Sequence, residues 1–232
     1  MTIKRLINNH LNIYFLLFII FYPAIFYFRT NNIEEVTRII IPLFVFMIFI
    51  FVLLTNSADE RHNIILYFVF LFILTGDCII NWSTHIKFSI IPFSLAHILL
   101  GTYYIFDTRF KGKDFLFLIP VLIFSALLFF MARGEIKNAL LQSAFIIYLT
   151  ILNFMLWRAL CYLGSKQNSL KILLVIVGSL FFYMTDIFVS LHAIYGNKMF
   201  ITLIWIIYPP ALFFLSLINI RQFKINLLEV KK

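Results

Sequence analysis

The sequence predicts an all-α fold: a polytopic membrane protein built as a bundle of eight transmembrane helices. Three observations predict it. Hydrophobic residues make up 63% of the 232-residue chain and charged residues only 12%, against roughly a quarter charged in an ordinary soluble domain. Thirty phenylalanines, with isoleucine and leucine, fill long apolar runs on the scale of the roughly 20 residues needed to cross a bilayer. Short polar or helix-breaking stretches separate one run from the next.

The runs fall at about 11–28, 38–55, 63–80, 88–106, 114–131, 138–161, 170–191 and 199–219. Lys4 and Arg5 precede the first run as they would in a signal peptide. No small-residue cleavage site follows, so this run is expected to remain as the first helix. Asn31-Asn32 ends it, and Asn56-Ser57-Ala58-Asp59 closes the second run. The third stops at Asn81-Trp82-Ser83, and Lys111-Gly112-Lys113 separates the fourth from the fifth. Arg133-Gly134, Gly164-Ser165 and Gly196-Asn197 divide the remainder. The whole chain, 1–232, reads as one transmembrane domain. No internal repeat is evident, which gives no support to an inverted-repeat transporter.

A net charge of +9 points to nucleic acid in a soluble setting. Here the basic residues sit singly in short connections, which is the pattern of membrane orientation and excludes a phosphate-binding nucleic-acid face. With the N-terminus in the cytoplasm, cytoplasmic segments hold twelve Lys and Arg and the opposite side holds six: Arg29, Arg38, Lys87, Arg133, Lys137 and Lys198. That bias places both termini in the cytoplasm; in a bacterium the expected location is the plasma (inner) membrane. Cys78 and Cys161 lie inside apolar runs without metal-ligand spacing and read as buried free thiols.

Two aspartates interrupt otherwise apolar helices: Asp77 on the third and Asp186 on the seventh. A carboxylate at the bilayer centre costs about 2.5–3.5 kcal/mol on insertion scales, so such residues are usually functional. In this topology both helices run outward and both acids fall about three to five residues before the predicted outer end. Matched depth is what a shared site requires. The bland alternative is helix–helix glue, with each acid protonated.

Other polar residues supply candidates around the acids. Asn81 follows Asp77 by one turn, and Gly76 leaves room for a helix or a ligand beside it. The fourth helix carries His97, with Tyr103 and Tyr104 further along. Zinc held by His97 and the two acids is a less favoured option, because no paired-histidine spacing accompanies it; no metal is expected. The sixth helix holds Tyr148, Asn153, Trp157 and Arg158, the last either snorkelling or paired with an acid or phosphate. On the seventh helix Gly178, Phe182, Thr185 and Asp186 form one stripe. On the eighth, Tyr208-Pro209-Pro210-Ala211 must kink and free carbonyls that need partners.

Gly76-Asp77, then His97 followed by tyrosines, then Trp157-Arg158-Ala159, then Gly178-x3-Phe182-x2-Thr185-Asp186, then Tyr208-x2-Ala211, together resemble the lysoplasmalogenase, or YhhN-like, family of membrane proteins. The resemblance runs from the third helix to the eighth. It implies an eight-helix bundle that hydrolyses the vinyl ether of lysoplasmalogens, alkenyl glycerophosphocholine or -ethanolamine, to a fatty aldehyde and a glycerophospho head group. It implies Asp77 and Asp186 as catalytic acids and no cofactor. Three positions depart from the family pattern: Thr185 stands for Ser, Leu100 for a Tyr after the histidine, and Leu212 for a Gln after the Tyr-x-x-Ala element. The last two bear on substrate identity more than on fold.

Vinyl-ether hydrolysis proceeds through protonation of carbon and an oxocarbenium ion, so it needs a proton donor and a negative partner. Two carboxyls in opposite protonation states serve this purpose, as in glycoside hydrolysis. The sequence expectation assigns Asp186 as acid and Asp77 as anion. The substrate, itself an amphiphile, is expected to enter from the bilayer with its phosphate at Asn81, Lys87 or Arg158. Two rival classes remain at this stage: a proton-coupled transporter, and a non-enzymatic structural membrane protein.

Overall fold

Eight α-helices in succession make up the computed structural model. It describes the backbone of residues 3–31, 33–55, 60–82 and 86–220, and the side chains of these except 3–10, 60–62 and 86–87. The helices are α1 (Ile3–Thr30), α2 (Glu34–Thr55), α3 (Glu60–Trp82), α4 (Ile90–Asp107), α5 (Leu118–Ala132), α6 (Ala139–Leu160), α7 (Ser169–Tyr195) and α8 (Lys198–Leu217). Short 3₁₀ turns at Ile86–Ser89, Gly112–Phe117 and Cys161–Gly164 join some of them. Among the described residues, eight helical segments are long and apolar enough to cross a membrane, and no strand forms. The chain is an integral, multi-pass membrane protein.

The sequence chemistry at the helix ends explains their positions. Asn138, Asn168 and Asn197 each accept a hydrogen bond at their side-chain oxygen from the first turn of α6, α7 and α8, satisfying donors that hydrocarbon cannot. Gly196 closes α7 in the left-handed region (φ 67°), donating its N–H to the carbonyl of His192. The helix thus runs on to Tyr195, and Asp186 sits nine residues before its end instead of within the last turn or so. His192 and Tyr195, amphipathic residues that suit an interface, are what extend it past the apolar run.

Polarity is distributed inside-out. Leu127, Phe130, Met131 and Ile147 point outward and are largely exposed, whereas Asp77, His97, Arg158, Ser179 and Asp186 are buried. An apolar exterior matches lipid, and the interior is where polar groups find partners. Helix α3 packs between α2 and α4, α4 against α6, and α7 along α8. The ring closes where the first helix meets the last, α1 against both α2 and α8, while α5 leans on α6 from outside. Successive helices alternate in direction, so one end of the bundle carries Trp82 and Gly196 and the other Asp107 and Gly164.

Close approach of α7 to α8 depends on Gly178. A Cβ there would stand 2.9 Å from the Leu215 Cδ2 and 3.2 Å from its backbone nitrogen. On α8, Pro210 lacks the N–H that would bond the carbonyl of Ile206, and the Tyr22 hydroxyl of α1 donates to that carbonyl instead, at 3.0 Å. One of the two carbonyls freed by the proline pair is therefore satisfied by protein.

Gly178→Val is expected to destabilise the bundle by about 2 kcal/mol, within the range for overpacking a close contact. Thermal unfolding in detergent, followed by tryptophan fluorescence, checks it; a midpoint unchanged from the parent would refute the close-approach argument.

Candidate active site

Five helices converge on the two aspartates. The Asp77 carboxylate on α3 accepts a hydrogen bond at Oδ2 from the Tyr208 hydroxyl on α8. On α7, the Asp186 carboxylate meets Nε2 of His97 from α4 and the Tyr148 hydroxyl from α6. Asp77 and Asp186 lie close enough to act on each other electrostatically, and Tyr208 feels both. Only 3% of Asp77, 6% of Asp186 and none of His97 is exposed. The two acids thus occupy one water-poor interior, where electrostatic interactions are stronger than in solvent.

Aromatic rings wall this interior. The His97 imidazole lies 4.3 Å from the Phe182 ring and meets the Tyr148 ring edge-on at 6.2 Å. Phe182 in turn faces Tyr208 at 6.3 Å, and Tyr208 meets Trp205 edge-on at 6.0 Å. Among the described residues Nδ1 of His97 has no hydrogen-bond partner. Nor do three His, Cys, Asp or Glu groups among them converge as a metal site.

Several residues named from sequence belong elsewhere. Asn81 turns its amide back onto the carbonyl of Asp77 at 2.8 Å, stabilising the helix end and not the carboxylate. Thr185 likewise bonds the Phe181 carbonyl at 2.9 Å. Gly76 accommodates the Phe93 ring of α4, so its missing side chain admits a helix, not a ligand. Asn153 joins Ser125 of α5 at 2.6 Å and Tyr183 of α7 at 3.1 Å, a three-helix clasp. Lys87 lies outside the described side chains.

Tyr103 lies six residues from His97, about 9 Å along α4, with the fully buried Leu100 between them. Its ring packs on Tyr104, whose hydroxyl meets Ser179 of α7 at 2.6 Å. These tyrosines belong to a second polar group near the Gly164 end. There Asp107 binds the Tyr162 hydroxyl at 2.8 Å and the Lys171 ammonium at 2.7 Å.

Arg158 does not face the acids. Ten residues beyond Tyr148 on α6, it sits about 15 Å further along the helix and is only 1% exposed. Its guanidinium pairs with Asp114 at 3.8 Å and donates to the carbonyl and hydroxyl of Thr108 at 3.3 Å. Trp157 donates its indole N–H to the Asp114 carbonyl at 2.7 Å. Together they fasten α6 to the connection between α4 and α5. Neither a snorkelling residue nor a head-group contact, Arg158 is a buried staple. Nothing in the sequence spacing of Asp107 and Asp114, both at helix ends, marks them as partners of these cations.

Among known families, the model of the YhhN family matches residues 36–218, well over half of the chain. No curated protein and no solved structure matches it.

Removing one member of a buried ion pair strands the other, at about 3–5 kcal/mol. Arg158→Ala is accordingly expected to lower the unfolding midpoint sharply, and Arg158→Met with Asp114→Asn to recover much of the loss. Chemical denaturation of the three proteins side by side checks this; a double variant no better than the single one would refute the staple.

Proposed function

Because the chain belongs to the YhhN family, which includes hydrolases, we propose that it is a lysoplasmalogenase-like hydrolase of the vinyl ether bond. One observation carries the reading. Two carboxyls from separate helices share a buried interior, each already held by hydrogen-bonding side chains and both lined by aromatic rings. General acid–base chemistry on an uncharged lipid bond needs this kind of arrangement, in which donor and anion stand apart with little water to level them.

The groups around each acid favour one division of roles, with Nε2–H of His97 taken as the donor. His97 and Tyr148 converge on Asp186, while Tyr208 alone meets Asp77. Charge on a carboxylate is better held by more donors, so Asp186 is the anion and Asp77 the proton donor. This reverses the assignment made from sequence, which had no means of counting partners. Tyr208 occupies Oδ2 of Asp77, leaving Oδ1 to carry the proton.

The reaction then runs in three steps. Asp77 gives its proton to the β-carbon of the vinyl ether, and the α-carbon becomes an oxocarbenium ion beside the Asp186 carboxylate. Water adds to that carbon as Asp186 takes its proton, forming a hemiacetal. Asp186 passes this proton to the glycerol oxygen as the carbon–oxygen bond breaks, and the hemiacetal hydroxyl returns a proton to Asp77. Fatty aldehyde and glycerophospho alcohol leave, with one water consumed. His97 and Tyr148 serve as positioning residues that hold Asp186 in place.

Transport finds less support. A proton or solute route needs polar groups continuous toward both faces, but Leu100 and Phe182, both fully buried, separate the acids from the Tyr104–Ser179 group.

The test is aldehyde release from purified protein in detergent, given alkenyl lysophosphatidylcholine and lysophosphatidylethanolamine beside their acyl analogues. Aldehyde is expected from the alkenyl lipids alone, falling by about 10²–10⁴-fold in Asp77→Asn and Asp186→Asn, with both variants still monodisperse on size exclusion. His97→Gln is expected to reduce turnover less than either. No aldehyde from well-folded parent protein would sink the hydrolase reading.

A further inference from the structure

We propose that Arg29, at the end of α1, is the binding residue for the phosphate of a lysophospholipid whose alkenyl chain lies against the acids. The proposal rests on the hydrolase reading for the identity of the bond cleaved, but not for the recognition of phosphate. Arg29 occupies the last turn of α1, at the same end of the bundle as Trp82 and Gly196. It is half-buried, and its guanidinium carbon lies 5.4 Å from the centre of the Trp205 ring on α8. That ring, itself 8% exposed, meets Tyr208 edge-on, and Tyr208 holds Asp77.

A continuous path therefore leads from a cation at the membrane interface to the reacting carboxyl: guanidinium, indole, phenol, carboxylate. Trp205 and Tyr208 stand three residues apart on one helix with ring centres 6.0 Å apart, and the guanidinium carbon lies 5.4 Å beyond the first of them. A lipid anchored at Arg29 through its phosphate would lay its glycerol along these two rings and so bring its ether bond toward Asp77. A guanidinium held over an indole by cation–π attraction keeps N–H groups available, and these are what a phosphate recognises bidentately. Among the described residues Arg29 has no ion pair. Glu34, the acid that acts on it electrostatically, is itself paired with Arg38 at 3.4 Å. Of the three residues offered from sequence for this task, Asn81 bonds its own helix and Arg158 is sealed at the opposite end, while the Lys87 side chain lies outside the described residues.

Binding of non-hydrolysable ligands tests this without depending on turnover. Saturated alkyl lysophosphatidylcholine, the matching alkylglycerol and inorganic phosphate would be titrated into protein held in maltoside detergent. The parent is expected to bind the phospholipid at least tenfold more tightly than the alkylglycerol, and to show no binding of inorganic phosphate over the same range. Arg29→Gln should abolish the preference while leaving alkylglycerol affinity unchanged, and Arg29→Lys should restore part of it. Equal affinity of the parent for both lipids, or equal weakening of both by Arg29→Gln, would overturn the proposal. Inorganic phosphate binding as tightly as the lipid would overturn the lipid assignment. Aldehyde release, run on the same preparations with alkenyl lysophosphatidylcholine, separates the two readings: a phosphate preference without aldehyde defeats the hydrolase and leaves the phosphate site standing.

Discussion

Charge in hydrocarbon is the constraint on which the rest of this structure depends. A lone carboxylate among apolar helices is costly, and the cost falls only when donors are brought to it from neighbouring segments. Asp77 and Asp186 therefore dictate where α4, α6 and α8 must stand, because His97, Tyr148 and Tyr208 have to reach them. The glycines that bring helices together serve this requirement. Gly178 lets α7 lie against α8, and Gly76 seats α3 against Phe93 of α4. The side chains that make the acids tolerable are thus the same ones that fix where the carboxyls stand.

A second consequence is the layering of the interior. Polar groups gather in the acid site, in the Tyr104–Ser179 and Asp107–Lys171 group, and in the Arg158 staple, with apolar packing between them. Leu100 and Phe182 form the layer immediately beneath the acids. Such a partition sets an apolar layer between the acids and the polar groups toward the Gly164 end. It also separates what must be rigid from what must react, since the staple ties three segments near the Gly164 end without touching the site.

Much of this was legible in the sequence, for physical reasons that differ from residue to residue. Eight apolar runs read as helices because backbone polar groups in hydrocarbon leave few other choices. Asp77 and Asp186 stood out because a buried acid is expensive, and His97, Tyr148, Phe182 and Tyr208 could be named from spacing and from the family resemblance. The partners of Asn81, Asn153, Thr185 and Arg158 could not be read, because a polar side chain on a membrane helix has several neighbours within reach. Only the packed structure shows that Asn81 and Thr185 bond their own backbone. Asp114 illustrates the limit well: in sequence it is a charge beside two lysines, and in space it is buried with Arg158. Arg29 was counted as an orienting charge, and its cation–π contact with Trp205 arises from a meeting of the first and last helices that no local pattern encodes.

That meeting has a bearing on how the protein is made. The carbonyl of Ile206 is satisfied by a tyrosine 184 residues away, and Asp77 finds Tyr208 across a separation of 131. A chain emerging from the ribosome inserts α3 long before α8 exists, so its first acid enters the membrane without the phenol that later holds it. The nascent protein has to carry that unpaired group through most of its synthesis, either neutralised or sheltered by whatever receives new helices. Only the arrival of the final helix gives Asp77 its phenol and completes the buried cluster around the two acids.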